Sequence, residues 1–219
     1  MFNDKYGLTD AVLTGRKTQT RRVITCPKTC HGIEVRGFNV WRRASDGLIG
    51  EICMFDDDEF SIDGGQILPK YKVGEIVAIA QSYKDSDINF IPIDESKFAK
   101  NEKQGQHGNT KSMKGYNNKM FVRADLMPHQ IRITNVRVQK LQEISDEDCL
   151  KEGVGVSATD NRIGYPLGIP FKYFFGEDKP ACRYATPREA YAALIDKVSG
   201  KGTWESNPYV FVYDFELVK

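Results

Sequence analysis

The most regular alternation of apolar and polar residues lies near the end of the sequence, at residues 209–217. Large apolar side chains occupy every second position there, with valines and acidic residues between them: Tyr209, Phe211, Tyr213, Phe215 and Leu217. A period of two residues is that of a β-strand, so the pattern predicts a strand over this range. The aromatic stripe could stack nucleobases, although a stripe at this period is more often part of a buried core.

Two further strands are predicted upstream. Residues 75–80 form a short apolar run after a glycine, and residues 131–138 follow a proline and are rich in β-branched side chains. The apolar positions of the second run change phase between Ile133 and Val136. Such a change indicates one extra residue in the strand, a β-bulge.

Capping signals predict a helix near each end of the chain. The first covers residues 8–13, with Thr9 or Asp10 opening it and Gly15 in the left-handed conformation that ends it. The second covers residues 186–198 and begins with the capping box Thr-Pro-Arg-Glu, which has proline at the first helical position. Its apolar stripe is typical of a helix that supports a core.

A third helix is predicted after Ser145, which with Asp148 forms an acidic variant of the capping box, and it ends at Gly153. Glu152 therefore lies at its C-terminal end. The helix dipole disfavours a carboxylate there by several tenths of a kcal/mol unless a cation compensates. Lys17 is the candidate cation, so we expect Lys17 and Glu152 to lie within reach of a salt bridge.

The mixture of strands and helices predicts an α+β fold. A chain of 219 residues with 40% hydrophobic content can bury a substantial core, and we expect one domain over residues 1–219. Residues 84–119 are rich in Lys, Asn, Gly, Gln and Ser, which indicates a long insertion outside that core. No apolar run has the length of a membrane span or the form of a signal peptide, so we expect a cytoplasmic protein without a membrane partner.

Charge is concentrated in one place. The formal net charge is only +1, yet residues 15–22 contain four cations and two hydroxyls. We expect Lys17 and Thr20 to lie together on a turn that leaves the first helix. Lys17 would supply charge and Thr20 a hydroxyl, while Arg21 and Arg22 would bind phosphate or carboxylate. The alternative is a solvated basic surface without a pocket.

The cysteines and the acidic run do not have the spacing of metal sites. Cys26, Cys30 and His31 lie close together in sequence, but no second pair of ligands follows, so we expect neither a metal nor another cofactor. Residues 56–59 are all acidic but lack the alternating spacing of a calcium loop. They are typical of a solvated hairpin tip.

The segment Gly-Arg-Lys-Thr-x-Thr-x-Arg at 15–22 resembles the signature of the ASCH domain (activating signal cointegrator homology), a relative of the PUA RNA-binding fold. Residues 136–153 and 202–212 resemble the longer phage and mobile-element branch of that family. The resemblance implies a PUA-like, partly open β-barrel flanked by short helices. It is carried by the two ends of the chain, which leaves insertions near 24–70, 84–119 and 154–185.

The resemblance also implies a site. Small ASCH proteins that hydrolyse N4-acetylcytidine use a Lys, a Thr and a Glu, and the matching residues here are Lys17, Thr20 and Glu152. In such a site the threonine hydroxyl attacks the amide carbonyl, the lysine stabilises the alkoxide or relays its proton, and the glutamate exchanges protons with the leaving amine. Without chemistry, the same residues would form an ion pair that ties a loop to a helix.

Three functions follow as alternatives. The first is a recognition module for RNA or a modified nucleoside, with Arg16, Arg21 and Arg22 as contacts and Trp204 as a stacking plane. The second is an amidohydrolase that deacetylates N4-acetylcytidine-type nucleosides. The third is a phage or mobile-element accessory protein that uses its surface for protein contacts. Trp204 could equally fill the core beneath the barrel.

Overall fold

A computed structural model describes residues 2–42, 44–45, 49–86, 115–157, 172–179 and 182–218. Those residues form a mixed α/β fold in which a curled, four-stranded sheet is accompanied by a few short helices. Most of the predicted insertion at 84–119, and the middle of the one at 154–185, lie outside the described residues. None of the helices in the described ranges combines the length and the apolar character needed to cross a membrane.

In the described part of the chain, the helices are short and the strands connect into several sheets. The helices are α1 Leu8–Leu13, α2 Asp146–Lys151, α3 Pro187–Ser199 and α4 Thr203–Ser206. The strands are β1 Gln19–Val23, β2 Thr29–Cys30, β3 Ile33–Glu34, β4 Gly37–Arg42, β5 Ile49–Phe55, β6 Ser61–Gln66, β7 Ile76–Ala78, β8 Gln130–Lys140, β9 Gly155–Val156, β10 Tyr173–Phe174 and β11 Tyr209–Leu217.

The main sheet is antiparallel and has the strand order β1-β11-β8-β7. The predicted strand at 209–217 is confirmed as β11, while β7 is shorter than predicted and β8 is longer. The predicted bulge is also confirmed. Asp214 pairs with Asn135 and Phe215 with Ile133, which leaves Thr134 as the extra residue of β8.

Both faces of β11 are buried, because each faces a different part of the core. Val210 and Val212 pack with residues of α2 and α3 in one hydrophobic cluster. Phe211, Tyr213 and Phe215 belong to a second cluster, which also contains side chains of β5 and β8. The aromatic stripe of β11 therefore belongs to the core, as its period predicted.

The start of α1 and both ends of α2 determine where the segments with the candidate residues lie. The bounds predicted for α1 are confirmed, but the residue before it is Gly7 in the left-handed conformation, and neither Thr9 nor Asp10 caps it. The Ser145 side chain accepts from the Asp148 N–H at the start of α2, as predicted. At its end Gly153 has φ +104°, and a Cβ there would lie 3.3 Å from Leu8 Cδ2. Glycine thus lets α1 approach the end of α2 closely.

Part of the predicted insertion at 24–70 forms a separate sheet with the order β4-β5-β6. The acidic run at 56–59 lies in the turn between β5 and β6, which confirms the predicted hairpin tip. Asp56 Oδ1 accepts from the backbone N–H groups of Asp58 and Phe60 there. Among the described residues no group of three or more His, Cys, Asp or Glu side chains is arranged to hold a metal ion.

Candidate functional site

A cleft of about 530 Å³ lies between the N-terminal segment, β1, the end of α2 and α3. Its described lining has a charged part, an apolar wall and a few hydroxyl groups. The charged residues are Asp4, Lys5, Lys17, Arg21, Arg22, Lys119 and Glu152. The apolar wall consists of Phe2, Leu8, Val23, Leu194, Ile195 and Val198.

The predicted contact between Lys17 and Glu152 is confirmed at the base of this cleft. Lys17 Nζ lies 2.7 Å from Glu152 Oε2, and the two residues are only 3% and 4% exposed. The ammonium group also donates to the backbone carbonyls of Gln19 and Glu152, each at 2.7 Å. Protein oxygens therefore accept all three of its hydrogens, and two of the three oxygens belong to Glu152.

Arg21 is part of the same buried network. It is 5% exposed, and its guanidinium donates to Glu152 Oε1 at 3.0 Å and to Asp148 Oδ2 at 2.9 Å. The Gln19 side-chain oxygen accepts a further hydrogen bond from it. Arg137 Nη2 lies 3.1 Å from Asp148 Oδ2 and pairs through Nη1 with Asp214. Charge-assisted bonds thus join α2 to β1, β8 and β11.

The alternation of β1 explains why neighbouring basic residues have different surroundings. Thr20 is paired with Tyr213 and Arg22 with Phe211, so these side chains share one face of the sheet. Arg21 points to the opposite face, where α2 lies. Lys17 lies before the strand and Thr20 on it, so the predicted turn carrying both residues is not observed. Both residues nevertheless line the cleft.

Burial and neighbouring charges act in opposite directions on the pKa values of both Lys17 and Asp148. Burial lowers the pKa of Lys17, although the neighbouring Glu152 carboxylate opposes the shift. Burial alone would raise the pKa of Asp148, but the hydrogen bond and charge of Arg21, with Arg137 and Lys151, outweigh it and lower the pKa. Asp148 therefore stays ionised in the fold at any pH near neutral.

Three residues bring hydroxyl groups to the cleft, and of these Thr20 is half-buried, Tyr191 is buried and Ser199 is exposed. Thr20 is half-buried and lines the cleft, and its side chain makes no hydrogen bond to the described residues. The Tyr191 hydroxyl is buried and unpartnered, on a residue that is 1% exposed. Burial, followed by the nearby Glu152 charge, raises the pKa of Tyr191 well above its usual value, so the phenol remains a hydrogen-bond donor.

Tyr191 was not among the predicted site residues, because the helix that carries it was interpreted as a support for the core. One signal was available in the sequence. A tyrosine on the buried face of a helix brings a hydroxyl that needs a partner, whereas the alanines and leucine around it do not. A buried polar atom without a partner calls for an explanation, and a bound water or ligand would supply the missing hydrogen bond.

The remaining predicted contact residues are Arg22, Arg16 and Trp204, and only Arg22 lines the described cleft. Arg22 is exposed and lines it, whereas Arg16 is exposed and donates to the Gly153 carbonyl at 3.2 Å outside the described lining. Trp204 does not line the described cleft. Its ring meets Tyr191 edge to face with centroids 6.2 Å apart, and Arg188 lies 5.2 Å above it. This placement agrees with the alternative of a core-filling tryptophan.

No protein-family model matches the chain. No curated protein and no solved structure matches it either. What the cleft can do chemically is therefore inferred from its geometry and from the resemblance of residues 15–22. It offers an ammonium and a carboxylate held together, the exposed guanidinium of Arg22, and the hydroxyls of Thr20 and Tyr191.

The Tyr191→Phe substitution tests whether this hydroxyl lacks a partner within the protein. Because the change removes a buried and unpartnered polar atom, we expect the free energy of unfolding to stay equal or rise by up to about 1 kcal/mol. Tyr213→Phe is the matched control, since the Tyr213 oxygen accepts from the Lys70 N–H at 3.0 Å. That control should lose about 0.5 to 1.5 kcal/mol in urea denaturation. Equal losses in both variants would contradict the assignment of an unpartnered hydroxyl.

Asp148→Asn tests the charge network through its dependence on pH. Because the folded-state pKa of Asp148 lies below 3.8, its stabilising contribution is present above pH 3.8 and is lost as the pH falls through the folded value. We expect wild type to exceed the variant by about 1.5 to 3 kcal/mol near pH 7, with the gap closing below pH 3.8. Urea denaturation across this range measures it. Asp63→Asn, at an exposed position, should show no such gap, and a gap that persists in acid would contradict the network.

Proposed function

We propose that the cleft recognises RNA or a modified nucleoside. The observation that carries the proposal is the division of the cleft into a cationic part, an apolar wall and the hydroxyls of Thr20 and Tyr191, of which that of Tyr191 is buried without a partner. A nucleotide has matching parts, since it combines a charged phosphate, a flat apolar base and polar base edges. The volume of about 530 Å³ also lies within the range of small-molecule sites.

The charge of the cleft supports an anionic ligand. Five of its described lining residues are cationic and two are carboxylates, so positive charge is in excess there although the whole chain is nearly neutral. Lys17 and Arg21 serve the buried network, and Lys119 lies 2.7 Å from Asp4. Arg22 is exposed and lies on the same face of β1 as Thr20, where its guanidinium can contact a phosphate.

The apolar wall supports a ligand with a flat, weakly polar face. Leu194, Ile195 and Val198 of α3 lie along one side of the cleft, with Leu8 of α1 near them. Thr20 and Tyr191 would supply hydrogen bonds to the polar edge of a base packed on this wall. Hydrogen bonds of that kind discriminate strongly between ligands, because a missing partner leaves a buried group unsatisfied.

The resemblance of residues 15–22 to the ASCH signature supports the same function independently of the cleft. In this proposal the curled sheet is the PUA-like barrel that the resemblance implies, and the protein acts on RNA in the cytoplasm. The chain keeps the Lys, Thr and Glu positions of the signature, and all three residues line one cleft. Arg22, the last residue of the signature, lines it as well.

A second candidate is an amidohydrolase for N4-acetylcytidine-type nucleosides. It is favoured by one observation, the unpartnered Thr20 hydroxyl in the same cleft as a lysine whose pKa is lowered by burial. Within the ion pair, the Lys17 ammonium would first pass a proton to the Glu152 carboxylate. The neutral Lys17 amine would then take the hydroxyl proton as Thr20 Oγ1 attacks the amide carbonyl carbon, and Glu152 would give its proton to the cytosine amine as the C–N bond breaks. Water would then release acetate from Thr20 and restore the hydroxyl.

Binding is tested by titrating the protein with cytidine, N4-acetylcytidine, cytidine monophosphate and single-stranded RNA. We expect RNA to bind, with an affinity that falls steeply between about 50 and 200 mM salt because phosphate contacts release counterions. Isothermal titration calorimetry and fluorescence anisotropy measure both quantities. Absence of binding by every one of these ligands would overturn the proposal.

Turnover separates the two candidates. Wild-type protein is incubated overnight with N4-acetylcytidine, and cytidine release is followed by chromatography at near-neutral pH. Release that is lost in Thr20→Ala and partly retained in Thr20→Ser would establish the hydrolase. Binding without release would remove the hydrolase for this substrate and leave recognition as the function.

A further inference from the structure

A second cavity, of about 390 Å³, lies beside β1 at the end of the strand that is away from α1. One wall is formed by the residues that follow Arg22 along the chain, and the other by residues 67–71, which leave strand β6. The floor consists of the β11 side chains Phe211 and Tyr213. This cavity belongs to neither the Lys17–Glu152 pair nor the apolar wall of α3.

The two cavities are linked through β1. Arg22 lines both of them, and a small space of about 30 Å³ between them is lined by Thr20, Arg22 and Tyr71. That small space is lined mainly by core side chains, but Thr20 and Arg22 lie on one face of β1, so a ligand bound against Thr20 could continue past Arg22 along that face. The guanidinium of Arg22 would lie where the backbone of such a ligand passes from one cavity to the other.

The lining of the second cavity has the chemistry of a nucleotide subsite. Arg22 and Lys70 supply positive charge, and its described lining contains no carboxylate. Tyr71 is half-buried and supplies an aromatic ring, which meets the Tyr213 ring edge to face with centroids 5.6 Å apart. The backbone N–H of Lys70 donates to the Tyr213 hydroxyl at 3.0 Å, which holds this segment against the sheet.

We propose that this cavity binds the nucleotide next to the one in the cleft, so that the ligand is a strand of RNA and not a free nucleoside. The proposal rests on the proposed function, because it presumes that the cleft takes a nucleotide. Tyr71 would stack on the second base, and Lys70 with Arg22 would contact the phosphates on either side of it. An aromatic ring with nearby cations is the general means of holding single strands without reading their sequence.

A length series tests the second subsite. Affinity is measured between about 50 and 200 mM salt for cytidine 5′-monophosphate and for a dinucleotide and a tetranucleotide of cytidine that each carry a 5′-phosphate. We expect the dinucleotide to bind about 5- to 150-fold more tightly than the mononucleotide, the range given by stacking of one base on an aromatic side chain. We also expect a steeper dependence on salt, by about 0.7 in the logarithmic slope for each added phosphate contact.

Charge reversal at Lys70 tests whether the higher affinity for the dinucleotide comes from this cavity. Lys70→Glu should lower the ratio of dinucleotide to mononucleotide affinity by about tenfold, since a charged contact to phosphate is replaced by repulsion. Lys72→Glu is the matched control, because it is exposed on the same segment and lies outside the described lining of all these cavities. That variant should keep the wild-type ratio. Tyr71→Phe should keep the gain and Tyr71→Leu should lose it, provided that circular dichroism shows each to be folded.

The outcomes separate this inference from the function on which it rests. Mononucleotide binding with no gain for the dinucleotide would overturn the subsite and leave the cleft function standing. Equal ratios in Lys70→Glu and Lys72→Glu would also overturn it, because the gain would then come from elsewhere. Failure of every nucleotide to bind would overturn the function itself, and a tenfold loss confined to Lys70→Glu would support both.

Discussion

Glu152→Ala is expected to lower the free energy of unfolding by about 3 to 5 kcal/mol, although it changes a single side chain at the end of a six-residue helix. The carboxylate accepts from Lys17 on one oxygen and from Arg21 on the other, and all three side chains are buried. Removing it leaves two cations close together and away from water. The cost is that of an uncompensated buried charge, which exceeds the value of the pair itself.

A second variant separates that cost from the value of the ion pair. Lys17→Met combined with Glu152→Leu removes both charges and should recover much of the loss, because Arg21 keeps Asp148 as a partner. Glu216→Ala is the control for an exposed pair, since Glu216 lies 3.1 Å from Arg132 near the surface, and it should cost less than about 1 kcal/mol. Urea denaturation measures all three. A loss below 1 kcal/mol in Glu152→Ala would contradict the buried network.

The expected loss of stability in Glu152→Ala also affects how activity is tested. Alanine at Lys17 or Glu152 would reduce any activity by unfolding the protein, whether or not either residue takes part in chemistry. Thr20 is the better probe, because its side chain makes no hydrogen bond to the described residues and its loss should alter stability little.

Arg22→Glu is expected to weaken binding of single-stranded RNA by about 100-fold or more. Arg22 is exposed, lies on the same face of β1 as Thr20 and lines both cavities. Charge reversal therefore replaces a charged hydrogen bond to phosphate, of about 1.5 to 3 kcal/mol, with repulsion. The substitution should change the free energy of unfolding far less than Glu152→Ala, because the side chain lies at the surface.

Lys28→Glu provides the control for net charge. It alters the charge of the protein by the same two units at an exposed position outside the described cavities. Its effect on RNA affinity, measured by anisotropy at the same salt concentration, should stay within about threefold. Binding by Arg22→Glu within threefold of wild type would contradict the assignment of Arg22 to the phosphate backbone.

Much of the local structure could be predicted from the sequence, because it depends on neighbouring residues. The strand period at 209–217, the caps of α2 and α3 and the bulge in β8 are properties of short segments. The contact between Lys17 and Glu152 could also be predicted, since a carboxylate at the C-terminal end of a helix needs a cation. The resemblance of residues 15–22 pointed to the same pair.

The roles of Arg21 and Arg22 could not be distinguished in this way. Their faces depend on the pairing of β1 with β11, which lies near the opposite end of the chain, and a basic run has no period that reveals it. The same holds for Asp148, whose partners come from two distant strands. Tyr191 depends on an orientation of α3 that only the packed core decides.

The position of β11 has a consequence for the order in which the protein can form. Strands β1 and β8 pair with β11 and not with each other, so residues 19–23 gain their sheet partner only when residues 209–217 are present. A ribosome makes residues 19–23 long before residues 209–217. The nascent chain therefore carries β1 without its sheet partner until β11 has been made, and closure of this long-range pairing should be the slow step of folding.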